Sequence, residues 1–319
     1  MSSPDSQIPE PPPPPPADVI RKRLNFKEER DDGLQNLANE EQAVLLCAVA
    51  PYRSVRISPV DEVFASIGLH EEFAIEALIE DVASLQQTCK KLMLLLNTPG
   101  GGLHSSYKVA KALRNAFDDI EIYIPHMAAS GGTLIALTAN KIVMGPMSQL
   151  SPVDPQVVYK GRRVSALFVR HAFNRICKLF ETKTKDEAPY PHQALADKLD
   201  PILMEVDSAS VNTGYQYVKR ILEASRYDDA TAEAIATLLI FGFADHDSDI
   251  DYDGAKDLGL RVERHDASPR NIKVWRLMRS WLGKYLYVES GTHTIRYVFP
   301  AVVVEAPPEG STNEAQSLQ

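Results

Sequence analysis

The sequence predicts an α/β protein with a largely parallel β-sheet, and three observations carry this prediction. Short, continuously apolar runs such as 91–97 (KLMLLLN) are typical of strands that are covered on both faces. These runs alternate with segments in which apolar residues recur at helical spacing, such as 71–87. Glycine or proline follows the strand-like runs, as in 98–102. Strands that alternate with helices favour a parallel sheet with helices packed on its faces.

The middle of the chain gives the predicted elements in order. The apolar pattern predicts helices at 71–87, 105–117 and 131–139, and strands at 91–97, 120–125 and 141–145. From about 164 to 240 the pattern is almost wholly helical. The last apolar segment, 285–305, predicts a C-terminal β-hairpin that turns near Ser290 and Gly291.

Both ends of the sequence predict disordered tails around one folded domain at 43–305. Residues 11–16 are all proline, a composition that adopts extended polyproline II and builds no core. This run serves as a spacer or docks in the aromatic-lined groove of a partner. Residues 18–42 are charged and fit a short helix or more tail, so the predicted N-terminal tail extends over 1–42. Residues 306–319 have the polar composition of a second tail.

Composition excludes several classes of protein. A net charge of −9 disfavours a broad nucleic-acid or anionic-membrane surface. Cys47, Cys89 and Cys177 form no CxxC pair, which disfavours structural zinc and a disulfide framework. The apolar run 43–50 is too short to span a bilayer, and the residues before it lack the apolar core of a signal peptide. We therefore expect a cytoplasmic protein.

The stretch 97–102 (NTPGGG) is the first motif that bears on chemistry. Three glycines between a strand and a helix suit a phosphate cradle, an acyl-group cradle or a plain turn. The pattern GxxxxGK[ST] is absent, and GxGxxG fails because Ser105 stands where its third glycine belongs. An acyl cradle fits better, since glycine N–H groups at a strand end leave room for a substrate carbonyl.

The next strand ends in the second motif, 128–132 (AASGG), in which Ser130 lies between a strand and a helix. A serine at such a turn presents its Oγ outward among small neighbours, where a substrate can reach it. The structural alternative is that Ser130 caps the helix that follows. The glycine motif upstream favours the nucleophile, because the two motifs end neighbouring strands.

Together, the two motifs resemble a known superfamily. LLLNTPGG, followed by a helix, a strand and AASGG, resembles the ClpP/SppA-like serine peptidases of the Clp-crotonase fold, over about 91–156. The resemblance implies a ββα superhelical fold, a homo-oligomer and a polypeptide substrate. It also implies Ser130 as nucleophile and an oxyanion hole formed by the N–H groups of Gly100, Gly101 and Gly131.

The base implied by this resemblance differs from that of ClpP. In ClpP a histidine follows the serine by about one strand and a turn, whereas here Val153 or Asp154 holds that position. The segment 133–156 resembles a branch of the superfamily, the serine dehydrogenase proteinase (SDH) family, whose chain order is Ser, Asp, His. Its late His-Asp motif is matched within 241–260. The resemblance thus implies Asp154 as the orienting acid and His246 as the general base.

The assignment of acid and base has alternatives. The chain has Asp245 where the SDH motif has Thr, and Ser248 follows where that motif often has an aromatic residue. Asp154 lies between two prolines, which also fits a turn-forming role. The acidic run around His246 either raises the pKa of the imidazole or orients it through Asp245 or Asp247 instead of Asp154. This run lacks the spacing of an EF-hand calcium loop.

Other residues compete with His246 as the base. A Ser–Lys dyad is a further alternative. The lysines that could form such a dyad have no motif around them; they are Lys160, Lys178 and Lys183. His171 and His192 lie in the helical region that could cover the site. His126 precedes Ser130 by four residues at a strand end, a position that favours packing, and His104 follows the glycine loop and could contact a substrate. His70, His265 and His293 have no supporting context in the sequence.

The leading interpretation is a serine endopeptidase that acts through Ser130 and needs no metal or organic cofactor. One alternative is a catalytically silent scaffold of the same fold, whose proline-rich tail recruits a partner. Another is a crotonase-type acyl-CoA enzyme, which uses the same oxyanion geometry without a serine nucleophile. Ser130 argues against the crotonase alternative. The scaffold alternative depends on whether a base lies within reach of Ser130.

Overall fold

The computed structural model describes residues 31–51, 66–84, 89–159, 161–181, 200–243, 245–246, 248–286 and 292–301, with isolated positions between 184 and 194. In chain order its elements are α1 (Asp31–Glu41), β1 (Val44–Val49), α2 (Leu69–Ser84), β2 (Lys91–Asn97), α3 (Leu103–Ala116), β3 (Asp119–Ile124), β4 (Met127–Ala128), α4 (Gly131–Ala136), β5 (Lys141–Met144), β6 (Gln149–Leu150), β7 (Gln156–Tyr159), β8 (Arg162–Ser165), α5 (Ala166–Phe180), α6 (Pro201–Ala224), α7 (Asp229–Phe241), α8 (Tyr252–Asp257), β9 (Val262–Arg264), α9 (Pro269–Tyr285) and β10 (Thr294–Val298). Within these residues, each helix is too short or too polar to cross a membrane.

A mainly parallel sheet organises the molecule. Its spatial order is β10-β1-β2-β3-β5-β9, and every neighbouring pair is parallel except β10 with β1. Two short ladders lie outside it, parallel β4-β6 and antiparallel β7-β8. The predicted α/β class is confirmed, and strand β2 has the predicted bounds.

The sheet is apolar on both faces, which explains its continuous apolar strands. Successive side chains of a strand point to opposite faces. Leu94 of β2 faces the core under helices α2 to α7, whereas Met93 and Leu95 face a second core formed with α1 and α9. A strand covered on both sides cannot alternate between apolar and polar residues.

The N-terminal boundary of the folded part corrects the predicted tail. Residues 31–41 form α1, which lies directly before β1. Leu34, Leu37 and Ala38 of this helix are buried in the second core. The predicted tail over 1–42 is therefore too long, because the charges of this segment concealed a short apolar stripe.

The C-terminal strand also differs from the prediction. Residue Tyr285 ends helix α9 rather than starting a strand. Strand β10 pairs with β1, with Val298 opposite Leu45. The predicted turn at Ser290 and Gly291 lies outside the described residues. The apolar pattern was right about β10, but pairing with a distant strand cannot be deduced from local periodicity.

A partly buried ionic network fastens the two helices of the second core to the sheet. Arg270 of α9 makes two hydrogen bonds to Glu41 of α1, both 2.7 Å, and two to Glu121 of β3, both 3.0 Å. Tyr123 O–H also donates to Glu121, at 2.7 Å. Burial raises the pKa of Glu41, but the hydrogen bonds from Arg270 and Lys91 outweigh this and lower the pKa to about 2.

Candidate active site

Ser130 occupies the sharp turn between β4 and α4. Its backbone angles, φ 49° and ψ −112°, are rare for a side-chain-bearing residue and cost on the order of 1–3 kcal/mol. Two hydrogen bonds hold the turn: Ser130 N–H donates to Ser151 Oγ at 2.8 Å, and its carbonyl accepts from Leu134 N–H at 3.1 Å. The side chain makes no capping hydrogen bond. The hydroxyl is therefore not used as a helix cap, and a strained turn of this kind presents Oγ to a substrate.

Asp154 and His246 are in direct contact. His246 Nδ1 lies 2.6 Å from Asp154 Oδ1, and Asp154 is only 5% exposed. A buried carboxylate needs such a partner, because an unpaired one loses its hydration without compensation. An ionised carboxylate only accepts hydrogen bonds, so the proton of this contact lies on Nδ1 of the imidazole. The side chain of Asp154 thus pairs with the imidazole of His246.

Two contacts bring the segments of this site together. Ser151 Oγ accepts from Ser130 N–H, and the chain continues from Ser151 through Pro152 and Val153 to Asp154. Just before it, Leu150 exchanges two backbone hydrogen bonds with Ile250, at 2.9 and 3.0 Å. Ile250 lies on the same loop as His246. The structure therefore joins His246 directly to Asp154, and joins Ser130 to the segment that carries Asp154.

The glycine loop packs against the Ser130 turn so closely that side chains do not fit. Gly100 has φ +101°, and a Cβ at this position would lie 2.5 Å from the Ala129 carbonyl oxygen. A Cβ on Gly101 would lie 2.2 Å from the backbone nitrogen of Ile67. A Cβ on Gly131 would lie 2.1 Å from Ser106 Oγ and 3.2 Å from the Gly101 nitrogen. Gly100 and Gly101 are thus required by close approaches of backbone, whereas Gly131 leaves room for the Ser106 side chain.

The three glycine N–H groups are not equivalent. Gly100 N–H donates to Thr98 Oγ1 at 3.0 Å. The resemblance had implied that this N–H is open to bind the oxyanion. Within the described part of the chain, the N–H groups of Gly101 and Gly131 have no acceptor. These two amides lie next to each other, as the close approach of Gly131 to the Gly101 nitrogen indicates.

The other candidate bases occupy different environments. His104 Nδ1 lies 3.0 Å from Tyr217 Oη, and His265 packs against the Trp275 ring at 5.1 Å. His126 is exposed, whereas His293 is buried. The remaining candidates comprise exposed His70, His171 and Lys178, together with His192, Lys160 and Lys183, which lie outside what is described here.

The acidic run around His246 has mainly local roles. Asp251 Oδ1 caps α8 by accepting from Gly254 N–H at 2.8 Å, and Asp253 lies 3.8 Å from Arg264. Asp247 lies outside the described residues. Among the residues with described positions, no group of acidic, histidine or cysteine side chains is arranged to hold a metal ion.

A cavity of about 430 Å³ opens beside the Asp154–His246 pair. Its apolar lining comprises Leu167, Phe168, Phe241 and Phe243, and its polar lining includes His171 and Asp245. Because His246 borders this space, a substrate segment held there would lie against the imidazole.

Sequence reasoning missed two hydrogen-bonding side chains of this site. Thr98 holds Gly100 N–H, and Ser151 holds the N–H of Ser130. Thr98 directly precedes the Pro-Gly-Gly turn, which was its only signal. Ser151 carried none, because its contact with Ser130 depends on the pairing of β4 with β6.

A parallel sheet with a glycine loop and a strained serine turn at neighbouring strand ends defines a ClpP-like α/β fold. Residues 63–298 match the model of the family described as ClpP-like SDH-type serine proteinases. The chain belongs to this family, which confirms the predicted family and fold.

The similarity to other proteins covers most of the chain. Two uncharacterized proteins of Methanocaldococcus jannaschii are 28% and 27% identical over 77% and 81% of this chain, and over 72% and 76% of their own lengths. A 1510-N membrane-bound stomatin-specific protease, solved with a substrate peptide, is 19% identical over 65% of this chain and 74% of its own, with a TM-score of 0.40. The ClpP catalytic domain of Plasmodium falciparum is 11% identical over 75% and 93%, with a TM-score of 0.37.

Proposed function

We propose that this protein is a serine endopeptidase in which Ser130 is the nucleophile, His246 the general base and Asp154 the acid that orients it. The observation that supports this most is the Asp154–His246 contact of 2.6 Å, because a carboxylate that accepts from Nδ1 is the arrangement that orients an imidazole as a general base. The strained backbone of Ser130 supports the same proposal, because strained residues cluster at active sites.

The reaction follows from these groups. Ser130 Oγ attacks the carbonyl carbon of the scissile peptide while its proton passes to His246 Nε2. The electron pair of the carbonyl π-bond moves to the oxygen, which becomes an oxyanion. The tetrahedral intermediate then collapses, the C–N bond breaks, and His246 gives its proton to the leaving amine. Water, deprotonated by the same imidazole, hydrolyses the ester on Ser130. This sequence of steps needs no cofactor.

The oxyanion hole is assigned to Gly101 and Gly131. Both N–H groups are open within the described residues, and they belong to the glycine loop and to the residue after Ser130. Preorganised donors of this kind stabilise charge that develops only in the transition state. Gly100 contributes differently, by shaping the loop with its positive φ. A homo-oligomer, a partner of the proline-rich tail and a cytoplasmic location stay predictions.

A fluorophosphonate probe tests the proposed nucleophile. We expect covalent labelling of the folded wild type, because the probe reacts with a serine Oγ that is activated by a neighbouring base. Ser130→Ala is expected to lose the label entirely. Ser105→Ala is the matched control, since its hydroxyl lies next to the glycine loop but bonds to Glu72, and it is expected to label like the wild type.

Two outcomes of this experiment would contradict the proposal. An unlabelled wild type with intact circular dichroism favours the silent scaffold. A label that persists in Ser130→Ala places the reactive hydroxyl elsewhere in the chain.

A further inference from the structure

A second hydroxyl, imidazole and carboxylate are joined behind the glycine loop. His293 Nδ1 lies 3.0 Å from Glu71 Oε1, and His293 Nε2 lies 2.7 Å from Thr98 Oγ1. We call Glu71, His293 and Thr98 the buried triad. These residues are 4%, 3% and 0% exposed. Because substrate cannot reach Thr98, this triad is not a second peptidase centre, and its groups must serve the fold or the site in front of them.

One end of the buried triad bonds to the glycine loop, and the other end bonds to the segment that pairs with this loop. At one end, Thr98 Oγ1 accepts from Gly100 N–H at 3.0 Å. At the other end, Glu71 Oε2 accepts from Gly68 N–H at 2.7 Å, next to Ile67. Ile67 in turn brackets the loop: its N–H donates to the Gly100 carbonyl and its carbonyl accepts from Gly102 N–H, both at 2.9 Å.

These bonds fix the peptide planes on both sides of Gly100. The plane before it is fixed through Gly100 N–H, and the plane after it through the Gly100 carbonyl. In a planar trans peptide, the N–H of the next residue points opposite to that carbonyl. Gly101 N–H therefore points away from Ile67, towards the side on which the Gly131 amide lies.

The protonation of the buried triad agrees with this role. Burial raises the pKa of Glu71, but hydrogen bonds from His293 and from Gly68 N–H outweigh it and hold the pKa below its usual value. Glu71 is thus a carboxylate that accepts from His293 Nδ1. In the neutral imidazole, Nε2 then accepts the Thr98 hydroxyl proton, which leaves a Thr98 lone pair for Gly100 N–H.

We propose that His293 is a positioning residue that holds the peptide planes on both sides of Gly100, so that Gly101 N–H donates to the substrate oxyanion. His293 contacts neither substrate nor the reacting atoms; it acts through Thr98 on Gly100 N–H and through Glu71 on Gly68, the neighbour of Ile67. The inference rests on the proposed peptidase function. It adds that hydrolysis requires His293, which directly precedes β10, an edge strand of the sheet.

Three variants of His293 separate its contact with Thr98 from its contact with Glu71. His293→Leu removes both side-chain bonds. His293→Gln keeps an amide near the position of Nε2 and can still bond Thr98, whereas His293→Asn keeps one near Nδ1 and can bond only Glu71. Active sites are first titrated with the fluorophosphonate probe, and kcat and KM for a peptide substrate are expressed per titrated site.

The expected result is a loss that appears in the transition state. His293→Leu is expected to lower kcat per site about 10- to 100-fold, with KM within about twofold, because a displaced oxyanion donor acts on the transition state alone. His293→Gln should lie nearer to the wild type than His293→Asn. A peptide aldehyde, whose hemiacetal oxygen occupies the oxyanion hole, should lose affinity in parallel with kcat/KM.

A destabilised control separates positioning from folding. Val274→Ala removes buried methyl groups from the opposite face of the sheet and is expected to lower the free energy of unfolding by about 0.5–3 kcal/mol. Its kcat per titrated site should not change. A wild-type kcat per site in His293→Leu, or unchanged aldehyde affinity, would overturn the inference while leaving the peptidase proposal intact. An unlabelled wild type would overturn both.

Discussion

Asp154→Asn is expected to lower kcat/KM for a peptide substrate by on the order of 10⁴-fold, with the fold intact. The carboxylate of Asp154 requires a proton on His246 Nδ1. An asparagine amide can instead donate to Nδ1, and the imidazole proton then moves to Nε2, which can no longer accept the proton of Ser130. The measurement is steady-state hydrolysis of a peptide, with circular dichroism as the check on folding.

Asp251→Asn is the matched control for this prediction. Asp251 belongs to the same acidic loop but caps α8, a role that asparagine fills nearly as well. Its activity should therefore equal that of the wild type. If Asp154→Asn keeps more than about a tenth of the activity while Asp245→Asn loses it, the acid is Asp245.

Arg270→Met is expected to lower the free energy of unfolding by about 1–3 kcal/mol, between the values for a surface ion pair and for a fully buried one, because the Arg270 side chain is 33% exposed. The methionine keeps an unbranched apolar chain but removes the guanidinium. Glu121, which is 7% exposed, is then left without its strongest partner. Denaturant unfolding followed by circular dichroism measures the loss.

Lys273→Met on the same helix is the control, because its partner Glu40 is exposed and such surface pairs contribute about 0–1 kcal/mol. Equal losses in the two variants would contradict the special role of the partly buried network.

The pH dependence of stability provides a second measurement on Arg270. The pKa of Glu41 is lowered to about 2, so its contribution is fully present above the unfolded value near 4.5 and is lost as the pH falls towards 2. Arg270 supplies much of this shift. The Arg270→Met variant should therefore lose less stability than the wild type between about pH 4.5 and pH 2. A parallel acid dependence in both proteins would contradict this assignment.

The sequence predicted the parts of the fold that local pattern determines. Strand β2 and helix α3 could be recognised because each buries a regular set of apolar side chains. Helix α1 could not, since its apolar residues stand among acidic ones and are buried only when α9 packs beside them. The partner of β10 was equally hidden, because β1 lies at the other end of the described chain.

In the candidate site, too, local motifs could be predicted from the sequence, whereas contacts between distant residues could not. Ser130 and the glycines stand in short motifs, where the chemistry of a turn can be read from neighbouring residues. The contact between Asp154 and His246 spans 92 positions, and only the resemblance to the SDH family suggested it. His293 had no signal at all, because histidine has no local preference for a buried bond to threonine across 195 positions.

The position of β10 has a consequence for how the protein is made. His293 and β10 leave the ribosome after every other described element, whereas Ser130 and the glycine loop emerge early. Until the late strand docks beside β1, Thr98 lacks the imidazole that fixes the loop. On the proposed mechanism, a nascent chain therefore carries Ser130 before the donor for the oxyanion is aligned. Hydrolysis would then begin only after the last strand has docked beside β1.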